Sequence, residues 1–265
     1  MDISSWLSYG ALGLMAGLLA GLLGVGGGII IVPMLTFLFA SQHLPDAHVA
    51  HMAIGTSLAT IVFTSISSMK SHHARGAVEW GIFRKISPGI LAGSLVGTWV
   101  AAQLSTRLLK GFFVVFLFYV SIQMFLEFKP LPRKPVGNIG MFGFGSLIGG
   151  ISALVGIGGG TMSVPFLIWY SVPIRSAIGT SASIGFPIAI AGTIGYILNR
   201  LPETTMPPYS LGFIYLPALF GVSLVSMVTA PMGAKLAHRI PVQTLKKGFA
   251  CFLLVMAGKM LIGLF

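Results

Sequence analysis

Charged residues are scarce in this chain of 265 residues, of which 8% are Asp, Glu, Lys or Arg. Soluble domains carry about 25% charged residues. The 16 basic and 5 acidic side chains are therefore too few to cover a globular surface of this size. The chain is 55% hydrophobic, with a mean hydropathy of +0.94, and its apolar runs of roughly 18 to 25 residues are those of membrane helices. The composition predicts an all-α polytopic protein in a lipid bilayer.

Several chemical groups are rare or missing. The single cysteine, Cys251, excludes an internal disulfide. The sequence has no HExxH or CxxC motif and no nucleophile–base spacing, so we predict no catalytic residue, no metal site and no cofactor. The five carboxylates fall in or beside predicted loops, which argues against a proton relay within the membrane. The formal charge of +11 is interpreted as topogenic charge in loops, with no nucleic-acid partner.

The chain is a duplication. The motif GVGGG at 24–28, followed by Val-Pro at 32–33, recurs as GIGGG at 156–160 with Val-Pro at 164–165. The segment AIGTS at 53–57 recurs at 177–181. Two matched glycine-rich motifs in the same order predict two structural repeats.

Each repeat reads as a broken apolar pair followed by three helices. The pairs are predicted near 7–39 and 139–170. The fuller helices are predicted near 50–69, 82–103, 108–127, 177–198, 211–233 and 244–264. Repeats at 1–128 and 138–265, joined by a basic, proline-rich cytoplasmic linker at 129–137, then form one membrane domain with 8 full crossings, or 10 segments if both hairpin arms are counted.

Basic residues decide whether each broken pair crosses the membrane once or returns as a hairpin. With hairpins, one side of the membrane holds 12 basic residues: Lys70, Arg75, Arg84, Lys85, Lys129, Arg133, Lys134, Arg175, Lys235, Arg239, Lys246 and Lys247. The other side holds 4: Arg107, Lys110, Arg200 and Lys259. Single crossings give 9 and 7, which is no bias. The positive-inside rule therefore favours hairpins, which make the two repeats inverted and place both termini outside.

The duplicated glycines predict a site. A helix that breaks at Gly26, Gly27 and Gly28 exposes backbone amides, and the helix that resumes there presents the positive end of its dipole. Non-helical backbone at membrane depth is tolerated where it lines a cavity or is buried in protein. Gly158, Gly159 and Gly160 supply the same device in the second repeat. The prediction is a midplane anion site, with close helix packing as the alternative role of these glycines.

Hydroxyl and basic side chains follow each break. Thr56 and Ser57 begin the next predicted helix of the first repeat, and Thr180 and Ser181 begin that of the second. Their hydroxyls are candidates to orient an oxyanion, and a bond to the preceding turn is the alternative. His51 and Arg175 each precede the threonine by five residues and are candidates for a gate or vestibule.

The same residues carry a resemblance to a known family. The motifs GVGGG with VP, AIGTSLA at 53–59, SHHARGAVEW at 71–80 and GIGGG with VP are similar to those of the sulfite exporter TauE/SafE family, over essentially the whole chain. The resemblance implies a permease of the bacterial inner (plasma) membrane for small sulfur-containing anions such as sulfite, sulfoacetate or a related organosulfonate.

The functional hypothesis is a secondary transporter that exports such an anion by alternating access. An anion channel, or a transporter of a different small oxyanion, is the alternative. A membrane enzyme and a structural subunit fit less well, since the first lacks a convergent site and the second leaves the duplicated breaks unexplained. The oligomeric state stays open between monomer and homodimer.

Overall fold

The computed structural model describes residues 3–23, 26–126, 137–199, 206–236 and 242–263. Residues 129–136 of the predicted linker lie outside the described residues. The described chain folds into ten helices: α1 (Ile3–Leu23), α2 (Gly28–Ser41), α3 (Val49–His73), α4 (Trp80–Gln103), α5 (Thr106–Leu126), α6 (Asn138–Val155), α7 (Gly160–Trp169), α8 (Ile174–Leu198), α9 (Leu216–Leu236) and α10 (Val242–Ile262).

This architecture confirms the predicted polytopic helical protein with ten segments. Six helices (α1, α3, α5, α6, α8 and α9) are long and apolar enough to cross a membrane. The short α2 and α7 are the second arms of the two broken pairs. Most predicted helix limits differ from the observed ones by a few residues, because hydropathy marks the apolar run and not the polar turn at each end.

The predicted start of α9 at 211 is wrong. Residues 210–215 form a small antiparallel hairpin, with β1 (Ser210–Leu211) paired to β2 (Ile214–Tyr215), and the helix begins at Leu216. Gly212 has a φ of 59° in the turn, a conformation that favours glycine. A short apolar run does not by itself distinguish a strand from the start of a helix.

The first broken pair is an out-and-back hairpin. The Tyr9 hydroxyl, in the second turn of α1, donates to Gln42 Oε1 (2.8 Å) at the end of α2. Gln42 Nε2 donates in turn to Ser5 Oγ (3.2 Å). The start of α1 and the end of α2 therefore lie at the same end of the molecule.

The two halves interlock through glycines. A Cβ added at Gly17 of α1 would lie 2.0 Å from Thr229 Oγ1 of α9, and one added at Gly21 would lie 2.0 Å from Ala230 O. In the same way, a Cβ at Gly89 or Gly93 of α4 would lie 2.1 or 2.0 Å from a backbone oxygen of α6. Small residues at four-residue spacing let membrane helices approach this closely. The first helix of each half thus packs on the fourth helix of the other.

The third helices of the two halves, α3 and α8, pack antiparallel at the centre. Gly179, near the start of α8, lies against Ala77, beyond the end of α3. Gly192, near the end of α8, lies against Leu58 in the first half of α3. α3 is buried along most of its length, so the centre of the protein lies between these two helices and the two breaks.

Candidate functional site

Both broken helices resume from the same backbone conformation. Gly27 precedes α2 with φ 79°, and Gly159 precedes α7 with φ 76°, both in the left-handed region that favours glycine. Gly26 and Gly156 also have positive φ, at 75° and 73°, but they are not equivalent positions, since Gly26 matches Gly158, which has no positive φ. The duplicated motif therefore places one left-handed glycine directly before each second arm.

The two breaks meet each other. A Cβ added at Gly28 would lie 2.2 Å from Gly156 O and 2.9 Å from Ile157 Cα, and one added at Gly26 would lie 3.1 Å from Gly158 Cα. These glycines are buried, as are Gly159 and Gly160. The structure thus brings the two predicted triplets together, so the start of α2 and the start of α7 lie at one place. Their role as anion ligands stays a prediction.

The two threonines join the halves through backbone amides. Thr56 Oγ1 accepts a hydrogen bond from the N–H of Tyr215 (2.9 Å), just before α9. Thr180 Oγ1 accepts one from the N–H of Glu79 (2.9 Å), just before α4. The sequence predicted both threonines at the start of their helices, but they lie about two turns inside them. A hydroxyl that accepts still holds its own hydrogen, so each threonine can also donate to an oxyanion.

The two serines contact the breaks more directly. The Ser57 hydroxyl donates to Gly156 O (2.8 Å), the carbonyl at the end of α6. Ser181 Oγ lies 2.8 Å from Ser163 Oγ, and the Ser163 hydroxyl donates to Gly159 O (2.9 Å). Each serine therefore helps to fix the backbone of the second break.

Sequence reasoning missed three buried hydroxyls that continue from Thr56 along α3. Thr60, Thr64 and Ser68 follow at four-residue intervals, and Thr64 Oγ1 lies 3.5 Å from Gly26 O. All three are at most 2% exposed. With the offset of 124 residues that relates Thr56 to Thr180, the matching positions on α8 are Ile184, Ile188 and Gly192. Comparing the two repeats position by position would have found this difference.

The two gate candidates lie at opposite ends of the molecule. His51 is 4% exposed, and its Nε2–H donates to the carbonyl oxygen of Ala101 (3.1 Å). Its ring stacks on Phe213, with ring centroids 5.0 Å apart. Arg175 is exposed in the first turn of α8, near the end of the molecule where α3 finishes. Equivalent positions in the two repeats therefore have different environments.

A cavity of about 700 Å³ lies beside His51. It is formed by the loop before α3, the end of α4, the first turns of α5 and the β1–β2 hairpin. Its polar lining includes Asp46, His48, His51, Thr106, Arg107 and Lys110. Burial lowers the pKa of His48, which favours its neutral form at pH 7. The fixed charges of this cavity are therefore two cations and one carboxylate.

No carboxylate lies within the helices that the structure describes. None of α1 to α10 contains an Asp or Glu, and Asp46 and Glu79 lie in loops. Asp2, Glu127 and Glu203 lie outside the described residues. The centre thus offers hydroxyls, backbone amides and helix N-termini, which suit a negatively charged solute.

These features define a class: a multi-pass helical membrane protein with two interlocked halves whose broken helices meet at the centre, as in membrane transporters. A family model described as "Sulfite exporter TauE/SafE" matches residues 9–260. The chain belongs to this family, which confirms the resemblance.

Curated relatives agree on the class. The chain is 38% identical over 250 residues to a "Probable membrane transporter protein" of Haemophilus influenzae, covering 94% of this chain and 95% of the relative. It is 29% identical over 211 residues to the "Probable membrane transporter protein YunE" of Bacillus subtilis, with 71% and 77% covered. It is 28% identical over 258 residues to the "Probable membrane transporter protein MJ0441" of Methanocaldococcus jannaschii, with 94% and 93% covered. No solved structure gives a significant match.

Proposed function

We propose that this protein is a secondary transporter that exports a small sulfur-containing anion, such as sulfite, sulfoacetate or a related organosulfonate, across the bacterial inner membrane. The observation that carries the proposal is the contact between the left-handed breaks before α2 and α7. The first N–H groups of a helix have no partner within the helix and carry its positive dipole end. Two such ends at one place can hold an anion without an arginine in the membrane.

In this proposal each group of central residues has its own role. Gly26–Gly28 and Gly158–Gly160 provide backbone amides and let the two breaks approach each other closely, while Thr56 and Thr180 donate their hydroxyl hydrogens to the anion. The Thr64 hydroxyl makes long hydrogen bonds to Gly26 O (3.5 Å) and Thr60 O (3.3 Å), which it would exchange for the anion, and the matching Ile188 has no such donor. Ser57 and Ser181 hold the second break in place, since their hydroxyls already face its carbonyl or Ser163.

Alternating access requires halves that exchange roles, and the packing supports this. The hairpin of α1 and α2 gives the first half an odd number of segments, and α3 and α8 run antiparallel. Inverted repeats with a midplane site at their interface are common in secondary transporters. Closure at one side and opening at the other would then be related by the pseudo-twofold axis between α3 and α8.

The proposed orientation predicts which loops face the outside. In a Cys251→Ala background, Ser41→Cys, at the end of α2, is expected to react with a membrane-impermeant thiol reagent added to spheroplasts. Arg75→Cys, beyond α3, is expected to react only after permeabilisation. Both side chains are exposed, so the two variants are matched controls for each other. The reverse labelling pattern would invert the proposed topology.

Without a carboxylate in the described helices, we propose that the membrane potential drives export. One elementary charge crossing 100 mV gains about 2.3 kcal/mol, which supports a concentration ratio of roughly 50-fold. Sulfite efflux from proteoliposomes is therefore expected to follow an imposed potassium-diffusion potential. Flux that ignores voltage but follows a pH gradient would contradict this coupling.

Binding by the purified protein tests the substrate class. We expect sulfite and sulfoacetate to bind, with chloride and a neutral solute as controls that do not. If another oxyanion binds and neither sulfur anion does, the proposal of a transporter stands and the proposed substrate class is wrong. Single-channel currents far above carrier turnover would replace the carrier with an anion channel.

A further inference from the structure

The cavity beside His51 is a second polar site, away from the two breaks. Its wall includes the first turns of α5, where Thr106 donates a hydrogen bond to Ala47 O and lies 3.4 Å from His51 Nδ1. Its volume of about 700 Å³ far exceeds the roughly 30 Å³ that one water molecule occupies in the liquid. A small anion can therefore enter it with much of its hydration shell.

The charges of this cavity are unusual for its side of the membrane. In the proposed topology the outer side carries only Arg107, Lys110, Arg200 and Lys259, as the depletion of basic residues outside requires. The Lys259 ammonium lies over the Phe37 ring, 4.9 Å from its centroid, and so has a local partner. Arg107 and Lys110, by contrast, both line the cavity. Two of the few outer cations are thus kept at one cavity.

The inner end of the cavity leads towards the centre of the protein. His51 and Phe213 are both buried there and stack on each other. Thr56 lies five residues further along α3, roughly 7.5 Å along the helix axis. A Cβ added at Gly55 would lie 2.9 Å from Phe213 O, so the β1–β2 hairpin closes this end of the cavity. The cavity is therefore a vestibule that stops at the His51–Phe213 pair.

We propose that this vestibule is a separate binding site for small dianionic oxyanions at the outer end of the molecule, held by Arg107 and Lys110. The guanidinium of Arg107 can bind two oxygens of one group with its parallel N–H donors, and the ammonium of Lys110 supplies a mobile second charge. This proposal rests on the proposed function in two respects only: the assignment of this end of the molecule to the outside, and the position of the site on the path of the transported anion.

Thiol chemistry reports the site without requiring transport. Ser105 is exposed and lines the vestibule, so Ser105→Cys in a Cys251→Ala background gives a probe position. The measured quantity is the ratio of two labelling rates, that of the anionic reagent sulfonatoethyl methanethiosulfonate over that of the cationic trimethylammonium reagent. We expect this ratio to be higher at Ser105→Cys than at Ser41→Cys, which lies outside the vestibule. Clefts lined by one sign of charge raise the local concentration of counter-ions by about 10- to 1,000-fold. Arg107 and Lys110 outnumber the single carboxylate of Asp46 in this lining, so a preference at the low end of that range, about tenfold, is expected. Sulfoacetate, a dianion that does not react with thiols, should slow the labelling, whereas chloride at equal ionic strength should not.

The charge-neutral variant Arg107→Gln/Lys110→Gln is expected to lose both the preference and the protection by sulfoacetate. Arg84→Gln/Lys85→Gln, which removes two exposed cations from the first turns of α4 at the other end, should keep both. No anionic preference in the parent, no protection, or protection that survives in the Arg107/Lys110 variant would each overturn the site. If sulfoacetate protects Ser105→Cys but the protein does not transport sulfur anions, the vestibule site is supported and the proposed function is contradicted.

Discussion

Gly28→Ala is expected to reduce transport at least tenfold and to lower the melting temperature of the purified protein. The added Cβ would lie 2.2 Å from Gly156 O and 2.9 Å from Ile157 Cα, both backbone atoms of the other half that cannot rotate away. Overpacking of this kind costs about 1–3 kcal/mol. The measurements are anion flux in proteoliposomes and thermal unfolding in detergent.

Gly28 tests the contact between the breaks better than its neighbour. Gly27 has a φ of 79°, so alanine there would strain the backbone whatever the space around it. Gly28 is the first residue of α2, with no positive φ. Gly143→Ala in α6 is the matched control, because a Cβ there meets nothing within 4 Å, and it should melt and transport like the parent. Parent-like flux and stability in Gly28→Ala would show that the breaks do not need to meet.

The second large effect is expected at Thr64. Thr64→Val keeps the branched shape of the side chain and removes the hydroxyl, and the matching position of the second repeat holds the β-branched apolar residue Ile188. A hydrogen bond to a charged group contributes about 1.5–3 kcal/mol. Sulfite affinity is therefore expected to fall roughly 10- to 150-fold, as measured by titration calorimetry on protein of unchanged melting temperature.

Two further variants show whether the hydroxyl or the packing at Thr64 matters. Thr64→Ser retains a donor and should bind sulfite much more tightly than Thr64→Val. Ile188→Thr, the reciprocal change in the second half, should leave the parent affinity within a few-fold. Equal losses in Thr64→Ser and Thr64→Val would assign Thr64 to packing, and parent-like affinity in Thr64→Val would remove it from the proposed site.

Sequence reasoning succeeded where the signal was local. Hydropathy located the ten segments, and the limits of α4 and α5 are within two residues of those predicted. Residues 210–215 were misread, because a hairpin of two residues per strand has no periodicity of its own. Thr60 and Thr64 were missed because isolated hydroxyls in an apolar helix usually bond to the preceding turn, as both of these also do.

The vestibule shows a different limit. His51 was identified as a gate candidate by its distance from Thr56, but nothing local links it to Arg107, Lys110 and Phe213, which lie far away in the chain. Arg175, the equivalent position in the second repeat, lies exposed at the opposite end. Equivalence in a duplicated sequence therefore did not predict equivalence in environment.

The sequence by itself determined that this is a duplicated, ten-segment membrane protein of the TauE/SafE family with a glycine break in each half. Apolar length, glycine placement and loop charge are properties of short segments, so they can be read without knowing what packs where. The tertiary structure decided that the two breaks meet, that Thr56 and Thr180 accept amides of Tyr215 and Glu79, and that two cations face one cavity. The first two of these features depend on backbone atoms, which are the same in every residue, and the third joins segments far apart in the chain, so none of them can be read from a local sequence pattern.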